Sequence, residues 1–163
     1  MSDHHVNKVV SSLSLAAANK IAAAALQAGR DAKMLPLTVV VLDSGGHMVA
    51  FQREDGSGIL RHDIAFGKAW GALGMGISSR TIRDRMADRP AFQGALAAAS
   101  QGRFIPVPGG VLICDGPETV VGAVGISGDT SQKDEHSAIE GIQAAGFTTQ
   151  PEEAEEGWEL SGL

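Results

Sequence analysis

Cysteine is nearly absent from this chain of 163 residues, in which Cys114 is the only one. A single thiol excludes an internal disulfide, so a reducing compartment is the simplest expectation. The sequence also lacks metal-binding spacings such as His-Glu-x-x-His or Cys-x-x-Cys, a Walker loop and a nucleophile elbow. Any chemistry therefore has to come from residues that form no standard motif, and we predict no protein-held metal site.

Long apolar runs and an excess of positive charge are missing as well. No segment approaches membrane-spanning length, and the N-terminus shows no basic segment followed by an apolar export core. The formal net charge is -6, but five glutamates in the last thirteen residues supply most of it, leaving 13 basic and 14 acidic residues elsewhere. We therefore expect a cytoplasmic protein with no nucleic-acid partner and no membrane partner.

The hydrophobic content of 44% fits one globular domain, which we place at residues 1–150. Residues 151–163 then form an acidic C-terminal tail. We expect this tail to be loosely held unless Trp158 docks against the domain.

Apolar spacing and capping residues predict the secondary structure. Helices are expected at about 15–32, 60–74, a short stretch from 79, 91–100 and 131–145. Strands are expected at 37–42, 48–53, 111–114 and 119–127, with a weaker one near 103–107. The order α-β-β-α-(α)-β-β-β-α contains hairpins and no βαβ repeat, so it predicts an α/β (α+β) protein with an antiparallel sheet of about five strands flanked by helices.

Four segments together resemble the GlcG/HbpS-like family. They are Pro-Leu-Thr-Val-Val-Val-Leu-Asp-Ser-Gly-Gly-His-Met-Val-Ala-Phe-Gln-Arg-Glu-Asp at 36–55, Ala-Phe-Gly-Lys-Ala at 65–69, Pro-Gly-Gly-Val at 108–111, and Val-Gly-Ala-Val-Gly-Ile-Ser-Gly at 121–128 followed by Asp134. The resemblance implies a profilin-like fold and a homo-oligomer, a dimer or a higher assembly such as an octamer. The family includes haem-binding proteins, the C-terminal domain of PduO-type cobalamin adenosyltransferases, and proteins encoded beside glycolate and diol catabolic genes.

Lys68 is the strongest candidate for chemistry, because it is the only charged residue between Ile64 and Ser79. Such a lysine lies at a pocket mouth, where it binds a carboxylate or has a lowered pKa, or it forms a structural salt bridge to Asp55 or Asp134.

Several other residues are candidates for the same site. Arg53 could clamp an anion that Asp55 orients, or the two could pair and close the turn. Ser127 and Gly128 precede a helix start and could offer backbone N–H groups to an anion. Asp134 could accept a proton, or its negative charge could simply be stabilised by the helix dipole.

Three histidines could ligate haem iron or transfer protons, namely His47, His62 and His136. His62 is preferred, because Phe66, Ala69, Trp70 and Leu73 follow it on the same helix and could form an apolar wall for a flat ligand. The glycines of that helix, at 67, 71, 74 and 76, predict either an early end of the helix or a close neighbour, which a second subunit would supply.

Two functions follow as hypotheses. In the first, the protein binds a small ligand, with haem or a related tetrapyrrole as one candidate, and is accessory to a small-molecule catabolic pathway. In the second, it is a cofactor-independent enzyme that uses Lys68, Arg53, Asp55 and Asp134 for proton transfer on a small oxygenated metabolite.

Overall fold

A computed structural model describes residues 5–163 of the chain. Its helices are α1 (Leu15–Asp31), α2 (Arg61–Met75), α3 (Ser79–Met86), α4 (Pro90–Ala99) and α5 (Ser131–Ala144). Its strands are β1 (Thr38–Asp43), β2 (Met48–Arg53), β3 (Gly110–Cys114), β4 (Val120–Ser127) and β5 (Thr148–Gln150), and a 3₁₀ turn covers Trp158–Leu160.

The five strands form one sheet in the order β2-β1-β4-β3-β5, and every neighbouring pair is antiparallel. The predicted antiparallel sheet flanked by helices is confirmed, as is the α+β class. One element differs, because no strand forms at 103–107 and the fifth strand is β5, which follows α5. Ile105 instead packs on α2, where its backbone N–H donates to the Gly67 carbonyl at 3.4 Å.

Helices cover both faces of the sheet. On one face, α1 and α5 pack over a core that includes Val39, Val41 and Ile126. On the other face, α2 packs over Val40, Leu42 and Leu112 together with small alanines. This burial on two sides explains why β1 is a continuous run of β-branched residues and leucine rather than an alternating one.

Glycines on the sheet, which have no side chain, allow α2 to lie directly on the strands. A Cβ atom at Gly125 would lie 1.8 Å from the Ala65 carbonyl oxygen, and one at Gly110 would lie 2.2 Å from the Lys68 carbonyl oxygen. Only glycine fits such a close approach of two backbones. The Gly-Gly and Val-Gly segments therefore position the helix that carries Lys68.

Two glycines of α2 are explained within the chain. A Cβ atom at Gly67 would lie 2.4 Å from Ile105, and one at Gly71 would lie 3.1 Å from the Phe104 ring. At these two positions residues 104–105 of the same chain, and not a second subunit, occupy the space. A Cβ atom at Gly74 would have no atom within 4 Å, and Gly76 ends the helix in the left-handed conformation.

The acidic C-terminal segment is docked on the domain. The Trp158 ring stacks on His136 with centroids 3.7 Å apart and an angle of 11° between the planes. Glu155 accepts two hydrogen bonds from the guanidinium of Arg83, at 2.7 and 3.2 Å. Trp158 therefore docks against the domain, and this was the contact that we expected to hold the tail in place. Among residues 5–163, no helix has the length and apolar character needed to cross a bilayer.

Candidate ligand-binding site

A row of polar side chains crosses three strands at the end of the sheet where α2 begins. Thr38 pairs with Arg53 on one side and with Ser127 on the other, so the three side chains leave the same face. Two residues from the approach to α2 contact this row: Arg61 donates from Nη1 to Ser127 Oγ at 3.2 Å, and the hydroxyl of Ser57 lies 2.8 Å from that of Thr38. The sheet register thus places two predicted residues, Arg53 and Ser127, in one row.

His62 lies directly beside this row, at the start of α2. Its Nδ1 lies 3.3 Å from an Asp63 carboxylate oxygen, and a proton on Nδ1 satisfies this contact. The other ring nitrogen, Nε2, then carries the free lone pair. The side chain is 39% exposed, so this nitrogen is within reach of a ligand from solvent.

Aromatic rings surround His62 on two sides. The Phe51 ring of β2 meets it edge-on at 5.2 Å, and the Phe66 ring lies 6.3 Å away at an angle of 30°. Phe51 is also exposed, as are Ile59 and Leu60 in the preceding loop. The imidazole therefore sits in an apolar surface that solvent reaches.

The wall that we predicted for His62 differs in composition. Ala69 is fully buried, and Trp70 and Leu73 pack against the core under α2. Phe51 was missed because it reaches His62 across the sheet rather than along the helix. Arg61 was also missed, although its place next to His62 at a helix start was a usable signal.

Lys68 and Asp134 form a buried ion pair at the same end of the sheet. The Lys68 ammonium donates to an Asp134 carboxylate oxygen at 2.8 Å and to the Ile126 carbonyl at 2.9 Å. The second Asp134 oxygen accepts from the Asp129 N–H at 3.1 Å. Burial raises the pKa of the Asp134 carboxyl, and the ammonium of Lys68 opposes this rise.

This pair is sealed from solvent, with the Lys68 and Asp134 side chains 2% and 1% exposed. Of the salt bridges that we considered for Lys68, the structure contains the one to Asp134. Neither residue lines the cavities described below. The geometry therefore gives the cofactor-independent enzyme no specific support.

Arg53 and Asp55 lie outside that buried pair. They line a shallow cavity of about 470 Å³ together with Arg30, Pro36 and Glu54. Within residues 5–163, the ion pairs include one from Arg30 to Glu54 at 2.8 Å and none between Arg53 and Asp55. The recess that we expected Lys68 and Arg53 to share is therefore not formed by these side chains.

Gly128 has a packing role in the structure. A Cβ atom at this position would lie 2.4 Å from the Pro36 carbonyl oxygen and 2.7 Å from the Leu37 side chain. The segment after β4 is thus pressed against the start of β1, and the neighbouring Ser127 is 1% exposed. A ligand in solvent therefore cannot contact Ser127 directly. Ser127 instead contacts the partly exposed Arg61 through a hydrogen bond.

The other two histidines lie away from the polar row. His47 is on the β1–β2 hairpin, at the opposite end of β1 from Thr38, with its side chain 82% exposed and its Nδ1 3.3 Å from Asp43. His136 is on α5, across the sheet from α2, where it lines a groove of about 1240 Å³ beside Trp158. Burial lowers the pKa of His136. The structure thus separates the three predicted histidines.

A family model described as "Haem degrading protein HbpS-like" matches residues 13–143. The chain belongs to the HbpS-like family. This confirms the GlcG/HbpS-like resemblance of the sequence. The family match ends before β5 and the acidic tail, so those elements lie outside it.

Relatives of this HbpS-like chain agree with the assignment. An uncharacterized 15.0 kDa protein in the dhaT-dhaS intergenic region of Citrobacter freundii is 32% identical over 130 residues, covering 77% of this chain and 86% of that protein. The Klebsiella pneumoniae protein ORFY is similar in structure with a TM-score of 0.75, 28% identity, and coverage of 88% and 97% of the two chains. A PduOC:heme complex has a TM-score of 0.76 with 24% identity, covering 86% of this chain and 99% of the other, and shows the shared fold.

Proposed function

We propose that this HbpS-like protein binds a flat, anionic tetrapyrrole, haem or a close relative, with His62 as the ligand to the metal. The observation that carries the proposal is the His62 imidazole. It is partly exposed, Asp63 orients it, and the rings of Phe51 and Phe66 flank it.

The residues around His62 fit the chemistry of this ligand class. An imidazole nitrogen is a common ligand of haem iron, and a carboxylate on the other ring nitrogen fixes the tautomer and the orientation of the ring. Exposed aromatic and aliphatic side chains suit the face of a macrocycle. When bound, haem would be held by the His62 imidazole and would supply a redox-active iron centre.

Two arginines near His62 suit the carboxylates of such a ligand. Arg61 precedes His62 and is partly exposed, and Arg53 ends the neighbouring strand β2 with its side chain exposed. Guanidinium groups bind carboxylates in a bidentate manner, so these two residues would hold propionates at the rim of the apolar surface. The chain's own residues thus supply the donor nitrogen, its orientation and the charge complement.

The comparisons support the ligand class. The family description names haem, and the structurally similar PduOC was crystallised as a heme complex. We include in the proposal an accessory role in a small-molecule catabolic pathway, which the sequence resemblance implies.

Titration of the purified protein with haemin tests this function. We expect a shifted Soret band for the wild type, and a weakening of affinity by about tenfold or more for His62→Ala, because the metal ligand is lost. The matched control is His47→Ala, since His47 lies at the other end of the sheet. An unchanged Soret band and affinity in His62→Ala would contradict the assignment of His62, and no Soret shift in the wild type would contradict haem binding.

A further inference from the structure

The C-terminal segment 151–163 lies over the start of α5 and one side of α3. Arg83 donates two hydrogen bonds to the Glu155 carboxylate, and Arg80 donates to the Glu153 carbonyl at 2.8 Å. Trp158 stacks on His136. The segment is held by these polar contacts, by the ring stack, and by Ala154 and Trp158, which are partly buried against the main core. The segment also lies outside residues 13–143, the region that the HbpS-like family model matches.

Beneath the segment lies a carboxyl group with incomplete partners. Glu135 is fully buried, and its Oε2 accepts from the backbone N–H of Glu155 at 3.3 Å. Its Oε1 has no hydrogen-bond partner among the described residues. The Arg80 Nε lies 3.3 Å from this oxygen, close enough for an ion pair but not aligned for a hydrogen bond. An ionised Glu135 is therefore poorly compensated while the segment is docked.

We propose that residues 151–163 form a strap that docks over α3 and α5 while Glu135 is protonated and loosens as Glu135 ionises. Loosening the strap uncovers Glu135 and His136 together with Arg80 and Arg83, which face the same segment.

The charge state of Glu135 sets the direction of this effect. Burial raises the pKa of Glu135 to about 7 from its ordinary value of 4.5, and Arg80 and the backbone N–H of Glu155 oppose this rise only in part. Release returns the carboxyl toward solvent and toward its ordinary pKa. Since the docked state has the higher pKa, docking is tightest when the carboxyl is protonated and weakens as the pH rises through about 7.

The other charged groups that face the strap limit the effect to one pH range. From α3 these are Arg80, Arg83 and Asp84, and from α5 they are His136 and Glu140. The strap itself adds Glu152, Glu153, Glu155, Glu156 and Glu159. Arg83 lowers the pKa of Glu155, so this carboxylate stays ionised near neutral pH. Burial lowers the pKa of His136, so its protonation opposes docking only on the acidic side of neutrality. Above about pH 6.5, near the ordinary pKa of histidine, Glu135 is therefore the group that changes charge.

Amide hydrogen exchange at Glu155 tests the strap, because its N–H bonds Glu135 directly. After correction for the intrinsic exchange rate, protection in the full-length protein should fall about fourfold between pH 6.5 and 8.5, given the pKa of about 7. Glu135→Gln removes the titrating group and should give equal protection at both pH values. The matched control Asp88→Asn, an exposed position after α3, should behave as the wild type.

A second variant tests the contact between Arg83 and Glu155 independently of Glu135. Glu155→Gln removes the charge that Arg83 holds, so protection should be low at both pH values. Equal wild-type protection at pH 6.5 and 8.5, or a persistent decline in Glu135→Gln, would overturn the proposal. Strong protection in Glu155→Gln would show that Arg83 does not hold the strap.

Discussion

At the scale of single residues, the pair Lys68–Asp134 connects the two helical layers. Lys68 comes from α2 on one face of the sheet and Asp134 from α5 on the other, and they meet beside the end of β4. Gly109, with φ +113°, makes room for them, because a Cβ atom there would lie 2.9 Å from the Lys68 ammonium. Every charge in the pair has a partner, which is the condition under which a buried ion pair is tolerated.

Breaking this pair should destabilise the fold. We expect Lys68→Met or Asp134→Asn to lower the free energy of unfolding by about 3–5 kcal/mol, because each leaves a buried charge without its counter-charge. Urea denaturation measures the loss. Lys20→Met is the matched control, since Lys20 is exposed on α1 and should change stability by less than about 0.5 kcal/mol. A loss below about 1 kcal/mol in both pair variants would show that the ion pair is not a structural element.

At the scale of elements, the contact between α2 and β4 depends on the absence of side chains. Gly125 faces the Ala65 carbonyl, and the alanines of α2 form the rest of the contact. The same packing brings the start of α2, with Arg61 and His62, beside the polar row on the sheet. The candidate site therefore depends on this helix–sheet distance.

Two glycine substitutions should have opposite effects on stability. Gly125→Ala places a methyl group against the backbone of α2, and we expect a loss of about 1–3 kcal/mol or more from overpacking. Gly94→Ala lies within α4 with no atom within 4 Å, so it should stabilise by about 0.5–1 kcal/mol through helix propensity. Thermal unfolding of both variants measures the signs. Equal effects would contradict the close contact at Gly125.

At the scale of the whole molecule, self-association stays a prediction. Strand β2 is at the edge of the sheet, and the loop after it exposes Ile59 and Leu60, 86% and 64% accessible. Unpaired strand edges and apolar surface favour pairing between copies.

Light scattering tests the predicted homo-oligomer. Each chain has a mass of 16.8 kDa, so we expect a mass that is a multiple of this value and that decreases on dilution if the association is weak. A constant mass of one chain across the concentration range would contradict homo-oligomer formation.

The helices and most strands could be predicted from the amino-acid sequence, because these elements depend on local spacing and capping. Ser14, Ser78 and Thr130 cap their helices with side-chain oxygens, which agrees with the preference of helix starts for serine and threonine. The antiparallel sheet followed from hairpins whose strands are close in sequence. The family resemblance rested on segments of the same local kind.

The contacts between candidate residues, in contrast, depend on how the elements pack together. Lys68 and Asp134 are 66 positions apart, so no local period indicates that they pair with each other rather than with a neighbour. The row Arg53–Thr38–Ser127 exists because of strand register, and Phe51 reaches His62 across two elements. The docking of Glu155 on Arg83 likewise joins residues 72 positions apart. Local patterns specify elements, whereas the contacts that make a site arise from packing between elements, which a single sequence does not encode in its spacing.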